Sequence, residues 1–238
     1  MNILAIGNSF SQDATKYLHQ IAKCDDFDLT VVNLYIGGCS LYTHFVNIQK
    51  DAKAYSMEFN GQSTGFFVSI KEALLSREWD YVTLQQVSSQ SARYEKYKPY
   101  LEELSAYVKK YAPKAKQVIH QTWAYEQNSD LLCKNQGYKR HEDMFKDIES
   151  AYKSAARDIN AEFIIPSGEL FQKLISAGIS KIHRDTFHAT LGLGRYALGL
   201  LWYRMLTGND VISNSFFGFD EGVTDEEIII AKRCVSEL

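Results

Sequence analysis

Short apolar, β-branched runs recur from one end of the chain to the other, and a stretch with helical spacing follows almost every one of them. The runs are Asn2–Ile6, Leu29–Leu34, Trp79–Gln85, Gln117–Thr122 and Glu162–Pro166. Unbroken apolar runs of this length suit strands buried on both faces, and strands alternating with helices place such strands in parallel. The pattern predicts a doubly wound α/β domain, one domain over residues 1–238, with helices on both faces of the sheet. The intervening helices are expected near 12–23, 41–54, 70–75, from Pro99 to Ala112, 140–160, 167–178, 191–206 and from Thr224 onward. Asn60-Gly61 sits between Met57-Glu58-Phe59 and Gly65-Phe66-Phe67-Val68, which predicts a small hairpin insertion near 55–68 lying outside the main sheet.

In open parallel sheets the ligand crevice lies beyond the carboxyl ends of the strands. Ser9 follows the first run, Gly37-Gly38 the second, Gln85 to Ser91 the third, and Trp123 opens a long polar and aromatic loop after the fourth. Those four clusters therefore converge on one rim.

Gly7-Asn8-Ser9-Phe10-Ser11 reads as a tight strand-to-helix turn. Such a turn can project the Ser9 hydroxyl outward beside backbone N–H groups left unpaired at the helix start. The plainer alternative is that Ser9 or Ser11 only caps the helix. A serine nucleophile needs a base, and the base needs an acceptor to hold its tautomer. Asp185-Thr186-Phe187-His188 offers both on one loop, with His183 a competing base.

Charge and composition remove other classes. A net charge of −3 without a long Lys/Arg run gives no electrostatic footprint for nucleic acid or for an anionic membrane surface. Cys24, Cys39, Cys133 and Cys234 form no C-x-x-C pair and have no His at metal-ligand spacing, so they read as free thiols of a reducing compartment. The first strand leaves no room for an export signal and no run reaches transmembrane length, so the expected location is cytoplasmic, with a trimmed export signal the alternative.

The order of a Gly-x-Ser turn, a Gly after the second strand, an amide-bearing turn after the third and Asp-x-x-His near the C-terminus resembles the SGNH/GDSL hydrolase superfamily along essentially the whole chain. Gly7-Asn8-Ser9-Phe10-Ser11, Leu84-Gln85-Gln86 and Asp185-x-x-His188 followed by Gly-x-Gly-Arg-Tyr resemble, more narrowly, a branch catalogued as a domain of unknown function. The resemblance implies a flavodoxin-like three-layer α/β/α fold with a five-stranded parallel sheet, and esterase or lipase chemistry with no metal or other cofactor. It casts Ser9 as nucleophile, His188 as base, Asp185 as the group orienting it, and the Ser9 and Gly38 N–H groups as oxyanion donors.

One block departs from that pattern. No Asn occurs between Asp80 and Pro99 to act as a third donor, and the amides nearest the position are Gln85, Gln86 and Gln90, of which Gln86 is favoured. Gly-Asn-Ser in place of Gly-Asp-Ser is expected to be harmless. Gln85, Trp123 and Tyr125 are the expected substrate contacts, and with Tyr35, Tyr42 and Gln127 they suit an O-acetylated saccharide better than a long acyl chain. The competing functions are a flavodoxin-like module binding phosphate or FMN at the first loop, and a saccharide-binding relative without catalysis.

Overall fold

The computed structural model describes residues 1–238. Five parallel strands form its centre: β1 (Asn2–Gly7), β2 (Thr30–Tyr35), β5 (Tyr81–Leu84), β6 (Lys116–His120) and β7 (Ile164–Ile165). Along β1 the side chains alternate between two cores: Ile3 and Ala5 join one, Leu4 and Ile6 the other. This two-sided burial is why the run is apolar throughout instead of alternating with polar residues.

The helices divide accordingly. One layer contains α1 (Ser9–Thr15), α2 (Leu18–Cys24), α7 (Ser167–Ser176), α8 (Leu193–Thr207) and α9 (Asp225–Ser236). The other contains α3 (Leu41–Lys50), α4 (Ile70–Leu75), α5 (Tyr100–Tyr111) and α6 (His141–Ile159). Capping boxes fix two starts, Ser69 with Glu72 at α4 and Thr224 with Glu227 at α9. The apolar helix α8 is buried nearly all round, because α1, α2, α7 and α9 pack about it.

The sheet has seven strands, two more than expected. Residues 55–68 do form a hairpin, β3 (Tyr55–Phe59) and β4 (Gln62–Val68), but it extends the sheet instead of standing outside it, giving the order β4-β3-β2-β1-β5-β6-β7. β3 pairs antiparallel with β2, Val32 opposite Phe59 and Tyr35 opposite Ser56. Without the hairpin, the free edge of β2 would carry unpaired N–H and C=O groups. Asn60 locks the junction, its Oδ1 accepting from the Val31 N–H at 2.9 Å. No helix is long and apolar enough to cross a membrane.

A second difference bears on the site. The helix expected from about residue 12 is two helices, and the first of them begins at Ser9 itself. Asn8 is its N-cap: in extended conformation, its side-chain oxygen accepts the Phe10 N–H at 3.0 Å.

Candidate active site

Ser9 stands at the first turn of α1, at the rim where the loops after β1, β2, β5 and β6 meet. Its Oγ lies 2.8 Å from His188 Nε2, and His188 Nδ1 lies 2.7 Å from Asp185 Oδ2. The Asp-x-x-His spacing explains the second contact. Asp185 Oδ1 accepts the His188 backbone N–H at 2.9 Å, which folds the loop so that the other oxygen meets the ring. With the carboxylate accepting at Nδ1, the proton resides there, and Nε2 presents its lone pair to the Ser9 hydroxyl.

The loop is braced from several sides. His183 and Ala189 form a bridge, Trp123 Nε1 donates to the Phe187 carbonyl at 2.7 Å, and the Glu126 N–H donates to the Thr186 carbonyl at 2.8 Å. Partial burial pushes the Asp185 carboxyl up, but the ring N–H and backbone N–H of His188 outweigh it and hold the group below the usual carboxylate range.

Around Ser9 opens a cleft of about 470 Å³. Ser9, Gly38, Ser88, Tyr125, Arg184 and His188 are among its walls, and no acidic side chain lines it. Gly38 adopts φ +64°, a left-handed conformation natural to glycine. Neither the Gly38 nor the Ser9 N–H has a hydrogen-bond partner within the chain. Both remain available to an anionic oxygen.

Several of the other expected contacts lie elsewhere. Gln86 is fully buried and does not line the cleft: its Nε2 donates to the Lys96 carbonyl at 3.0 Å, and its Oε1 accepts from Leu41 N–H at 3.0 Å and Val87 N–H at 2.8 Å. Gln85 is also interior, donating to Asn8 Oδ1 at 2.8 Å and accepting from His120 Nδ1 at 3.0 Å. Trp123 is fully buried and stacks between Phe10 and Phe171, at 4.1 and 4.5 Å between ring centroids. It supports the cleft floor and does not line it. Tyr125 and Tyr35 do line the cleft, whereas Tyr42 and Gln127 do not. His183, the competing base, is buried with Nε2 at 3.1 Å from the Ala124 carbonyl, and burial pushes its imidazole down to about 4.

Asn8, expected to be a passive spacer, is a cross-link. Its Oδ1 accepts from Phe10 and Gln85 while its Nδ2 donates to the Cys39 carbonyl at 3.0 Å, joining the Ser9 turn to the Gly38 loop. Behind Gln85 the chain of bonds continues through His120 to Ser167 Oγ at 3.1 Å. Gly7 makes room for it, since a Cβ there would fall 2.5 Å from Ser11 Oγ and 2.6 Å from Gln85 Oε1. A second structural group was not anticipated at all: Asp13, fully buried, binds Arg184 and Arg195. Its partners are the cation immediately before Asp185 and the Arg of the Gly-x-Gly-Arg-Tyr segment.

The family model for the domain of unknown function DUF4886 matches residues 2–236. The chain belongs to the DUF4886 family. A solved DUF4886 protein from Bacteroides uniformis is 34% identical and superposes with a TM-score of 0.93 over 100% of this chain and 93% of its own. Beyond the DUF4886 family, the fold is that of the SGNH/GDSL hydrolases. A Slackia heliotrinireducens protein proposed to be an SGNH hydrolase is 24% identical, with a TM-score of 0.64 over 87% of this chain and 98% of its own. An acetyl xylan esterase is 14% identical, with a TM-score of 0.51 over 87% of this chain and 99% of its own. No curated protein matches this DUF4886 chain in sequence.

Proposed function

We propose that this protein is a serine ester hydrolase that works through an acyl-enzyme. The observation that carries the reading is the continuous chain Asp185–His188–Ser9, with contacts of 2.7 and 2.8 Å, facing an open cleft.

Ser9 Oγ attacks the acyl carbonyl as His188 Nε2 takes its proton, and Asp185 steadies the imidazolium that forms. The carbonyl oxygen becomes an oxyanion beside the unpaired N–H groups of Ser9 and Gly38. Collapse expels the alcohol, which receives the proton from His188. Water then enters, loses a proton to the same imidazole, and hydrolyses the acyl-serine.

An O-acetylated saccharide is the substrate class we favour. The cleft combines aromatic walls, Tyr35, Tyr125 and Phe187, with hydroxyl and amide groups such as Ser89 and Gln12, a lining suited to a sugar face and its hydroxyls. The fold shared with an acetyl xylan esterase is in keeping with that choice. A phosphate- or flavin-binding role would leave the Asp185–His188–Ser9 chain without a use.

The test is to incubate the full chain with a fluorophosphonate, map the adduct by mass spectrometry, and assay acetylated sugars against longer acyl esters. An adduct on Ser9 together with Ser9-dependent release of acetate supports the reading. Absence of any adduct, or turnover that survives Ser9→Ala, refutes it.

A further inference from the structure

We propose that the Ser88 hydroxyl, oriented by Tyr125, is a third hydrogen-bond donor to the oxyanion in the Ser9 cleft. The inference rests on the ester-hydrolase reading and adds a residue to it.

Of the three candidate amides of the β5 turn, the NH₂ of Gln85 is spent on Asn8 and that of Gln86 on the Lys96 carbonyl, and Gln90 does not line the cleft. Gln86 has a different task. By accepting from Leu41 and from Val87 it holds the segment after Gly38 against the segment carrying Ser88, so that two walls of the cleft keep a constant separation.

Ser88 opens a short 3₁₀ turn and is 6% exposed, with its side chain in the cleft wall. Tyr125 Oη donates to Ser88 Oγ at 3.0 Å. Burial raises the Tyr125 phenol, so it stays protonated, and Ser88 Oγ is its one partner in the chain. A hydroxyl that accepts from a phenol still carries its own proton. For that proton the chain supplies no acceptor. A buried donor left unmet is costly, whereas one aimed at a cleft where negative charge develops is stabilised when that charge appears. Ser89, which shares the cleft wall, is exposed and lacks this constraint.

The arrangement also makes Tyr125 a positioning residue. By occupying one lone pair of Ser88 it limits the rotation of the hydroxyl and leaves the proton pointing away from the phenol.

The experiment is hydrolysis of p-nitrophenyl acetate by the full chain and by Ser9→Ala, Ser88→Ala, Ser88→Thr, Tyr125→Phe and the Ser88→Ala/Tyr125→Phe double variant, with thermal melts run alongside. Ser88→Ala is expected to lower kcat by on the order of 10²–10³ with KM within about threefold. Ser88→Thr, which keeps the hydroxyl, should recover most of that loss. Tyr125→Phe should lower kcat by roughly tenfold, and the double variant should be no worse than Ser88→Ala, because the two residues act as one unit. If Ser88→Ala melts early, Ser88→Thr and Tyr125→Phe decide the question: a kcat unchanged in Tyr125→Phe and unrecovered in Ser88→Thr overturns the proposal. Turnover that dies in Ser9→Ala yet stays within about threefold in Ser88→Ala overturns the donor role and leaves the hydrolase reading standing. Turnover independent of Ser9 overturns both.

Discussion

Asp13 meets Nη1 of Arg184 with both carboxylate oxygens, at 2.9 and 3.1 Å, although 171 residues separate them. Arg195 Nε reaches the same carboxylate at 2.9 Å, and Arg184 also donates to the Ala189 carbonyl. Asp13 belongs to the helix that begins at Ser9, and Arg184 to the loop that carries His188. The ion pair is therefore the brace between the two halves of the proposed catalytic chain.

Removing one member of a buried pair leaves its partner uncompensated, at about 3–5 kcal/mol. Asp13→Ala should thus lower stability by that order in urea denaturation and depress kcat in whatever fraction remains folded. Breaking the solvent-exposed Lys114–Glu78 pair should change little. Equal effects from the two would contradict this account.

A second prediction concerns the proton inventory of catalysis. The contacts from His188 keep the Asp185 carboxyl below the ordinary carboxylate range, so Asp185 stays ionised across the range in which imidazoles ordinarily titrate. Activity should therefore fall toward acid with a slope of one proton in log kcat/KM against pH, and Asp185→Asn should cost on the order of 10²–10⁴ in kcat. A slope of two would place Asp185 within the same titration.

Stability should fall toward acid for a separate reason. Burial pushes His44 and His120 down to about 3 and His183 down to about 4. In the unfolded chain each titrates near 6.5, so between that value and about 4 the unfolded state binds roughly three protons that the native state refuses. Stability should rise with pH across this window and level off above it. Urea midpoints at pH 7, 6 and 5 measure the slope, and His120→Asn should reduce it by about one proton. A flat profile would show that these rings are protonated in the fold.

Asn8→Asp tests the cross-link between the Ser9 turn and the Gly38 loop. One oxygen can still accept from Phe10 and Gln85, but the other would face the Cys39 carbonyl, where Asn8 now donates. The expected loss is about 1–3 kcal/mol at neutral pH. The gap between variant and parent should narrow in acid, as a protonated carboxyl regains a donor. A gap that widens in acid would refute the assigned donor direction.

The parallel core was legible because each of its strands is apolar on both faces, a pattern carried by local residues alone. The rim was legible for the same reason, since the polar clusters had to follow the strands, and Ser9, Asp185 and His188 do meet there. The hairpin was visible through Asn60-Gly61, but its pairing with β2 depends on Val32 and Phe59 finding each other across 27 positions, which no local pattern encodes. The side chains were harder still. Gln86 has the right chemistry and the right neighbourhood, yet its NH₂ points at Lys96, and a position in the chain does not reveal where an amide turns. Asn8 shows the converse: a change from Asp that looks neutral on paper supplies the donor that Cys39 requires. Asp13 and Arg184 left no trace beyond their charges, because a pair of this kind exists only once the fold has brought them together.

Glu58 ties the hairpin to the helix that begins at Ser9. This nearly buried carboxylate on β3 accepts from Asn33 Nδ2 at 2.8 Å and from the Gln12 amide of α1, while Asn33 Oδ1 in turn accepts from Ser11 Oγ at 2.7 Å. To the sheet, residues 55–68 are a border that could be trimmed. To the helix that begins at Ser9 they are a foundation. A shortened version of this chain that lost the insertion would keep its parallel strands and loosen the proposed nucleophile, so any lineage that discards the hairpin has to rebuild the first turn of α1 at the same time.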